Sequence, residues 1–488
     1  MQKNCLHLSF SSLRKTLRPS HKYLCELRAV ILFAFFTTTI LPLQAEERVY
    51  TISEAMQMAL ENSLNLKIRE TDVTIEEQGL RQAKAQFDPQ LSASYSNDDG
   101  NFSENKQSVS VGVSGNLQTG TRYSISLDSS SRDTDPDLVE SFAGLSFTQP
   151  LLRGFGLKSN LASTRIARRN LEQTEWQLKQ SILDTLNQTV IAYNNLFLAQ
   201  QRVAISRSSR DLAAKLVEDN QKRIEYKALA SLDGASAEAQ LAVREESLLQ
   251  SELLLIQAKN SLKGLIFEEA QTALNADVLT ESYLYEIEIA EFQSYLDQLL
   301  ENQPSFRIAE IALEIAQLRS ARDRNHALPS LEVIASIGFS SVGDSLSSSF
   351  NNLDSNNAVQ SNSIGVNFSY PLWNRSRDAQ KIISQQLERI SAYNLERVKK
   401  NIFLEFHSSY EQVKTNLKRV EATRKAQELA QVSLDAEEKK LNAGTSTTFV
   451  VLRLQNDLAN AELRAVNAIA SANRSVAGFY RLLGTLEP

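Results

Sequence analysis

The sequence predicts a mainly α-helical fold with a β-barrel part, in which duplicated long helical hairpins are combined with short strands contributed to a shared barrel. Three observations predict it: two long tracts without proline, stretches of period two with serine on one face, and an internal repeat.

Proline is informative because it removes a backbone donor and breaks helix interiors. None of the nine prolines falls in 151–303 or 372–487, and only Gly234 and Gly264 interrupt 157–337. Within these tracts Leu171, Leu178, Ile182, Leu186, Val190, Tyr193 and Phe197 form one apolar stripe. Val398, Ile402, Phe406, Tyr410, Val413, Leu417 and Val420 form the other. Their mean helical repeat of about 3.7 residues exceeds a strict heptad, which predicts long helices with little left-handed supercoil. Helices over 157–226 and 377–442 would be about 105 and 100 Å long at 1.5 Å per residue.

Between the helical tracts the period changes. Leu91, Ala93 and Tyr95 alternate with serines, and Val109, Val111 and Val113 alternate with serine and glycine. Tyr123, Ile125 and Leu127, then Ala143, Leu145 and Phe147, repeat the pattern, which returns in 331–339 and 364–370. Period two with one serine face predicts strands with an apolar and a wet side. At most four such strands fit in the first half and two in the second, whereas the smallest membrane barrels have about eight. One chain therefore cannot close a barrel, and the strands must either be shared among subunits or pack on a soluble core. A soluble sandwich lacks a second apolar face to bury against.

An offset of 240 aligns Glu61-Asn62 with Glu301-Asn302, Pro89 with Pro329 and Leu91 with Leu331. An offset of 217 pairs Lys222-Arg223-Ile224 with Lys439-Lys440-Leu441. The predicted organisation is an export signal over 1–45, a first structural repeat over 46–270 with strands in 90–149, an equatorial linker over 271–303, and a second repeat over 304–488 with strands in 330–371. The Glu-rich stretch within 266–304 reads as a solvated face.

The first 45 residues carry six basic residues before an apolar run ending Leu43-Gln44-Ala45, as a secretory signal does. That run is too short for the roughly 20 residues of a spanning helix. The remainder carries a net charge near −11, against nucleic-acid binding. Both cysteines, Cys5 and Cys25, lie in the opening segment, so the rest offers no disulfide or thiol nucleophile. Only His326 and His407 lie beyond it, and no phosphate-loop motif occurs. No enzyme, no metal site and no cofactor is expected.

The chain resembles the TolC family of outer-membrane efflux and export ducts. The resemblance is carried by Tyr50-Thr51-Ile52-Ser53-Glu54-Ala55 leading to Ala59-Leu60-Glu61-Asn62, Leu328-Pro329-Ser330-Leu331 and Thr148-Gln149-Pro150-Leu151-Leu152. Asn442-Ala443-Gly444-Thr445-Ser446, followed by Val451-Leu452, completes it. It implies a homotrimer in the outer membrane, each subunit giving strands to one barrel and hairpins to a periplasmic tunnel. It also implies a periplasmic adaptor protein and an inner-membrane transporter as partners, in efflux or type I secretion. The competing expectation is a trimeric adhesive or structural stalk without transport.

On that resemblance the hairpin tips, near 226–233 and 441–450, would close the resting channel and meet the adaptor. The residues concerned are Arg223, Ala228, Leu229, Asp233, Lys440, Gly444, Thr445, Ser446 and Arg453. Gly444 is first a helix cap requiring positive φ. Asp233 either rings the threefold axis with carboxylates or supports the start of the return helix. Arg453 stands where the family commonly has an acid, so it pairs with a neighbouring acid or faces solvent. Pro89, Pro150, Pro329 and Pro371 would mark the barrel–tunnel junction. Sixty residues between Pro89 and Pro150 hold four strand patterns where the family half has two. Twelve strands in total are expected, the extra pair forming a surface hairpin, with eighteen the alternative.

Overall fold

The structure is a computed structural model and describes residues 47–487, apart from 101–102, 133–134, 227–230, 286, 288 and 355–357. The export signal predicted over 1–45 lies outside the described residues.

The chain enters through β1 (Glu47–Tyr50), α1 (Ile52–Asn62) and α2 (Leu64–Lys84). Thr51 starts α1 with a capping box: its hydroxyl accepts from Glu54 N at 3.2 Å, and Glu54 accepts from Thr51 N at 3.0 Å. Four strands follow: β2 (Gln90–Gly100), β3 (Ser103–Asn116), β4 (Arg122–Arg132) and β5 (Asp135–Pro150). The short α3 (Leu157–Asn160) leads into α4 (Ala162–Glu225), and α5 (Ser231–Ile266) returns. Next come α6 (Ala270–Asn275), β6 (Asp277–Thr280), α7 (Phe292–Leu299) and α8 (Pro304–His326). Then β7 (Ser330–Gly343), α9 (Leu346–Asn352), β8 (Val359–Ser369), α10 (Arg375–Asn442) and α11 (Thr448–Leu483) complete the chain.

The two long helices have 64 and 68 residues. At 1.5 Å per residue they run about 96 and 102 Å. Near the strands the helices pack in the order α2, α4, α8, α10; towards the hairpin tips the order is α5, α4, α11, α10. Helices α10 on one side, and α2 and α5 on the other, are therefore the edges of one helical layer. No helix among the described residues is long and apolar enough to cross a membrane.

The strands form one antiparallel sheet in the order β2-β3-β4-β5-β7-β8. This corrects the expectation of a detached surface hairpin. Val111 of β3 pairs with Ala93 of β2 on one side and Leu127 of β4 on the other, and Leu127 also pairs with Ala143 of β5. Removing the β3–β4 hairpin would break backbone ladders on both flanks, which buried or lipid-facing backbone does not tolerate. Each chain offers six strands rather than four.

Midway along the helices an equatorial belt closes around the linker. Strand β1 pairs in parallel with β6, Glu47 opposite Asp277. Tyr50, Ala55, Ala59, Tyr193, Leu196, Leu262, Ile266 and Val278 form one buried cluster there. A second gathers Leu299, Ile402, Phe406, Val413, Val476 and Phe479. Phe406 and Phe479 stack with ring centroids 5.3 Å apart, and Tyr295 meets Phe479 edge-on at 5.3 Å.

Candidate functional site: sheet, junction and hairpin tips

The sheet inverts the usual distribution of polarity. On one face Ile125, Leu127, Phe147, Ile337 and Phe339 are between 38% and 54% exposed. On the other face hydroxyls pair across the ladder: Ser96 with Ser108 at 2.8 Å, Ser124 with Ser146 at 2.8 Å, and Ser336 with Ser363 at 2.7 Å. Asp128 joins that face, accepting from Ser110 at 2.5 Å and Ser126 at 2.7 Å. One apolar side and one hydroxyl-lined side suit lipid and water respectively.

Three serines interrupt the apolar face at the end far from the helices, and α9 covers them. Ser141 donates to Ser129 at 2.9 Å and lies 2.6 Å from the hydroxyl of Ser349, while Ser341 donates to the carbonyl of Ser349 at 2.5 Å. Their polar atoms are satisfied by protein rather than left towards an apolar solvent.

At the junction the four prolines fall where strand and helix meet. Pro89 precedes β2, Pro150 ends β5, Pro329 precedes β7 and Pro371 follows β8. The β5 exit is tied to the β7 entry, because Leu151 N donates to Leu331 O at 2.7 Å and Arg153 N to Pro329 O at 3.3 Å. Asn325, near the end of α8, accepts from Gly154 N at 2.8 Å and from Ser159 at 2.9 Å. Asn160 donates to the carbonyls of Gly154 at 2.7 Å and Gly156 at 2.9 Å. A cleft of about 660 Å³ lies here, lined by Arg122, Arg153, Arg377, Asp323, His326 and Glu332 among others. Burial, reinforced by Arg322, holds the His326 imidazole below its usual range. His407 instead lies edge-on to Phe292, 5.4 Å between ring centroids, in the equatorial aromatic cluster.

At the second tip Gly444 has φ +74° and closes α10: its N–H donates to Leu441 O at 3.1 Å, and Thr445 N donates to Lys440 O at 2.9 Å. Ser446 donates to Glu437 Oε1 at 2.5 Å, and Lys440 Nζ lies 2.9 Å from Glu437 Oε2. Glu437 thus knits the turn together, a residue that helical periodicity gave no reason to single out. Arg453 is exposed; its charge helps to hold the Glu437 carboxyl below its ordinary range, after the Ser446 and Lys440 contacts.

At the first tip Ala228 and Leu229 lie outside the described residues, as do the side chains of Arg223 and Asp233. Arg223 is in the last turn of α4 and Asp233 in the first turn of α5. Just beyond, Gly234 is buried where a Cβ would meet Ile224 Cδ1 at 2.6 Å, so glycine permits the close approach of the two helices. The two hairpins are linked by Arg244, which donates to Asn456 Oδ1 at 3.2 Å.

Residues 295–485 match the family described as outer membrane efflux protein. The chain is 24% identical over 335 residues to Outer membrane protein TolC of Escherichia coli K12, a match spanning 65% of this chain and 64% of that protein. The carboxyl-terminal part of the chain is thus similar to outer membrane efflux proteins. The fold of the chain is that of solved channels. The Campylobacter jejuni CmeC outer membrane channel superposes with a TM-score of 0.68 at 16% identity, over 89% of this chain and 86% of that one. The outer membrane protein VceC of Vibrio cholerae does so with 0.66 at 17% identity, over 89% and 96%. In this chain the sheet, the junction and the tips are parts of one elongated body, with α4 and α10 running from the strands to the hairpin turns.

Proposed function

We propose that the protein is the outer-membrane duct of a tripartite efflux or type I secretion system. It acts as a homotrimeric, non-enzymatic conduit through the outer membrane and periplasm, driven by an inner-membrane transporter and joined to it by a periplasmic adaptor. The observation that carries this reading is a six-stranded sheet with one apolar and one hydroxyl-lined face, mounted on helices about 100 Å long. Six strands fall short of the smallest membrane barrels, so the sheet requires other copies. The helical layer makes the same demand. Its edges leave Ile382, Leu387, Ile390 and Val432 of α10, Ile68 and Ile75 of α2, and Leu253 and Ile256 of α5 exposed. Neighbouring copies would cover these side chains as the tunnel closes.

The tip residues Arg223, Ala228, Leu229, Asp233, Lys440, Gly444, Thr445, Ser446 and Arg453 are proposed for closure and adaptor contact, and the four prolines for the barrel–tunnel junction. The test joins native mass in detergent with conductance in planar bilayers. A trimer forming discrete conducting channels is expected. A detergent-free soluble monomer overturns the reading, and an inserted trimer without conductance returns it to an adhesive stalk.

A further inference from the structure

We infer that the barrel has eighteen strands, six from each of three copies, and that it closes by pairing β8 of one copy with β2 of the next. The inference rests on the trimeric duct reading and adds to it the strand count and the closing edge.

The first argument is the ladder. Backbone pairing is continuous from Gln90 of β2, opposite Ser114, to Ser369 of β8, opposite Ser330, with β3, β4, β5 and β7 each bonded along both edges. The second is the apolar belt. Leu91, Val113, Ile125, Leu145 and Ile337 stand opposite one another across five strands, and Ile364, Val366 and Phe368 continue the belt on β8. A hairpin lying outside a barrel would not carry its share of that belt in register, because a slip of one residue reverses the faces.

The third argument is anchorage. The β3–β4 turn is docked at the junction: Gly156 N donates to Thr119 O at 3.0 Å, and Thr121 donates to Gln149 Oε1 at 2.5 Å. Gly120 has φ +93°, and a Cβ there would overlap the Gly154 carbonyl oxygen. The turn is therefore built to sit against the loop that leaves β5, at the same level as the other strand ends.

The edges complete the case. Strand β8 is exposed at every position, as are residues 90–97 of β2, and neither outer edge pairs with another strand among the described residues. Strand β2 leaves the helices and β8 returns to them, so β8 laid beside β2 of the next copy is antiparallel, like every other pair in the sheet. Three copies then close an even-stranded barrel with no edge left open. With strands about 4.8 Å apart and tilted about 40°, eighteen give a backbone diameter of about 36 Å, against about 24 Å for twelve.

Because the chain beyond position 45 has no cysteine, engineered thiols report without background. Leu127→Cys with Ala143→Cys, directly opposed on β4 and β5, is expected to consume both thiols on oxidation in membranes. Ala93→Cys is combined in turn with Ile364→Cys, Val366→Cys and Phe368→Cys, and at least one pair is expected to give a covalent trimer on non-reducing gels. Each variant is first shown to be trimeric under reducing conditions. Free thiols at 127 and 143 in an intact trimer would overturn the strand count while leaving the duct reading standing. No covalent trimer from any of the three edge pairs would overturn the closing edge. A native mass other than three copies would overturn the duct reading itself, and the strand total with it.

Discussion

Asn473 of α11 donates from Nδ2 to Oδ1 of Asn194 on α4 at 3.0 Å, joining residues 279 apart in sequence at a point closed to solvent. Both amides also hold the linker. Asn473 donates to Tyr283 O at 2.8 Å and accepts from Tyr285 N at 3.1 Å, while Asn194 donates to the Tyr283 hydroxyl at 2.7 Å. Asn473→Ala leaves Tyr283 O, Tyr285 N and Asn194 Oδ1 without this partner. Each orphaned buried group costs about 1–3 kcal/mol, so with three of them destabilisation of at least about 3 kcal/mol is expected. Thermal unfolding of the detergent-solubilised protein checks it, and Asn473→Asp should not restore wild-type stability, because a carboxylate cannot donate to Tyr283 O.

The same belt predicts an alkaline limit. The Tyr193 hydroxyl donates to Tyr50 O at 2.8 Å and accepts from Glu281 N at 3.1 Å. Burial pushes its pKa up to about 12 and raises those of Tyr283 and Tyr285 as well. An unfolded tyrosine releases its proton near pH 10, whereas the folded one keeps it. The folded state therefore binds more protons between about 10 and 12, and stability falls as pH rises through that window. Melting temperatures are expected to show no loss linked to these buried tyrosines at neutral pH and to drop from about pH 10, with the share of tyrosinate absorbance that belongs to Tyr193, Tyr283 and Tyr285 appearing only on unfolding.

Two helix-ending glycines with nearly the same backbone angle should respond differently to alanine. Gly444 has φ +74° and open space where a Cβ would stand; Gly484, ending α11 with φ +72°, has the Asn302 carbonyl oxygen in that place. Gly444→Ala incurs only the left-handed backbone cost, about 1–2 kcal/mol. Gly484→Ala adds a backbone overlap that must displace the 301–303 turn, so its cost is expected to exceed that of Gly444→Ala by about 1 kcal/mol or more. Parallel melts of the two variants measure the difference; equal melts would refute it.

What could be read before the structure was known was local. The Pro-free tracts and the spacing of Leu186, Val190 and Tyr193 mark helices because side-chain direction repeats within a turn. Serine alternation marks strands for the same reason. Pairing is not local. The patterns at 109–113 and 123–127 are legible as strands, but nothing in them states that Val111 faces both Ala93 and Leu127, which is why the sequence leaves twelve and eighteen strands both open. Asn194 and Asn473 carried no pattern, since a lone amide in a helix is indistinguishable from a solvated one until its distant partner is placed. Asn325, Asn160 and Glu437 escaped for the same reason: their partners are loop backbone or hydroxyls, which no periodicity records.

The α10–α11 turn gives a prediction at acid pH. Glu437 accepts from Ser446 at 2.5 Å and from Lys440 at 2.9 Å, and these bonds, the Ser446 one foremost, hold its carboxyl below the ordinary value of 4.5. A carboxylate depressed in the folded state contributes order that is present above its unfolded pKa and is lost as pH falls through the folded one. Amide exchange at 441–447 should therefore be steady at pH 5 and above and accelerate below about 4.5. The pair is surface chemistry screened by solvent, so the change should be small. Ser446→Ala removes the leading cause of the shift and should move the onset of faster exchange to higher pH, while Arg453→Gln, which acts only through charge, should move it less. An onset unchanged in Ser446→Ala would show that the turn is held by the Gly444 cap alone.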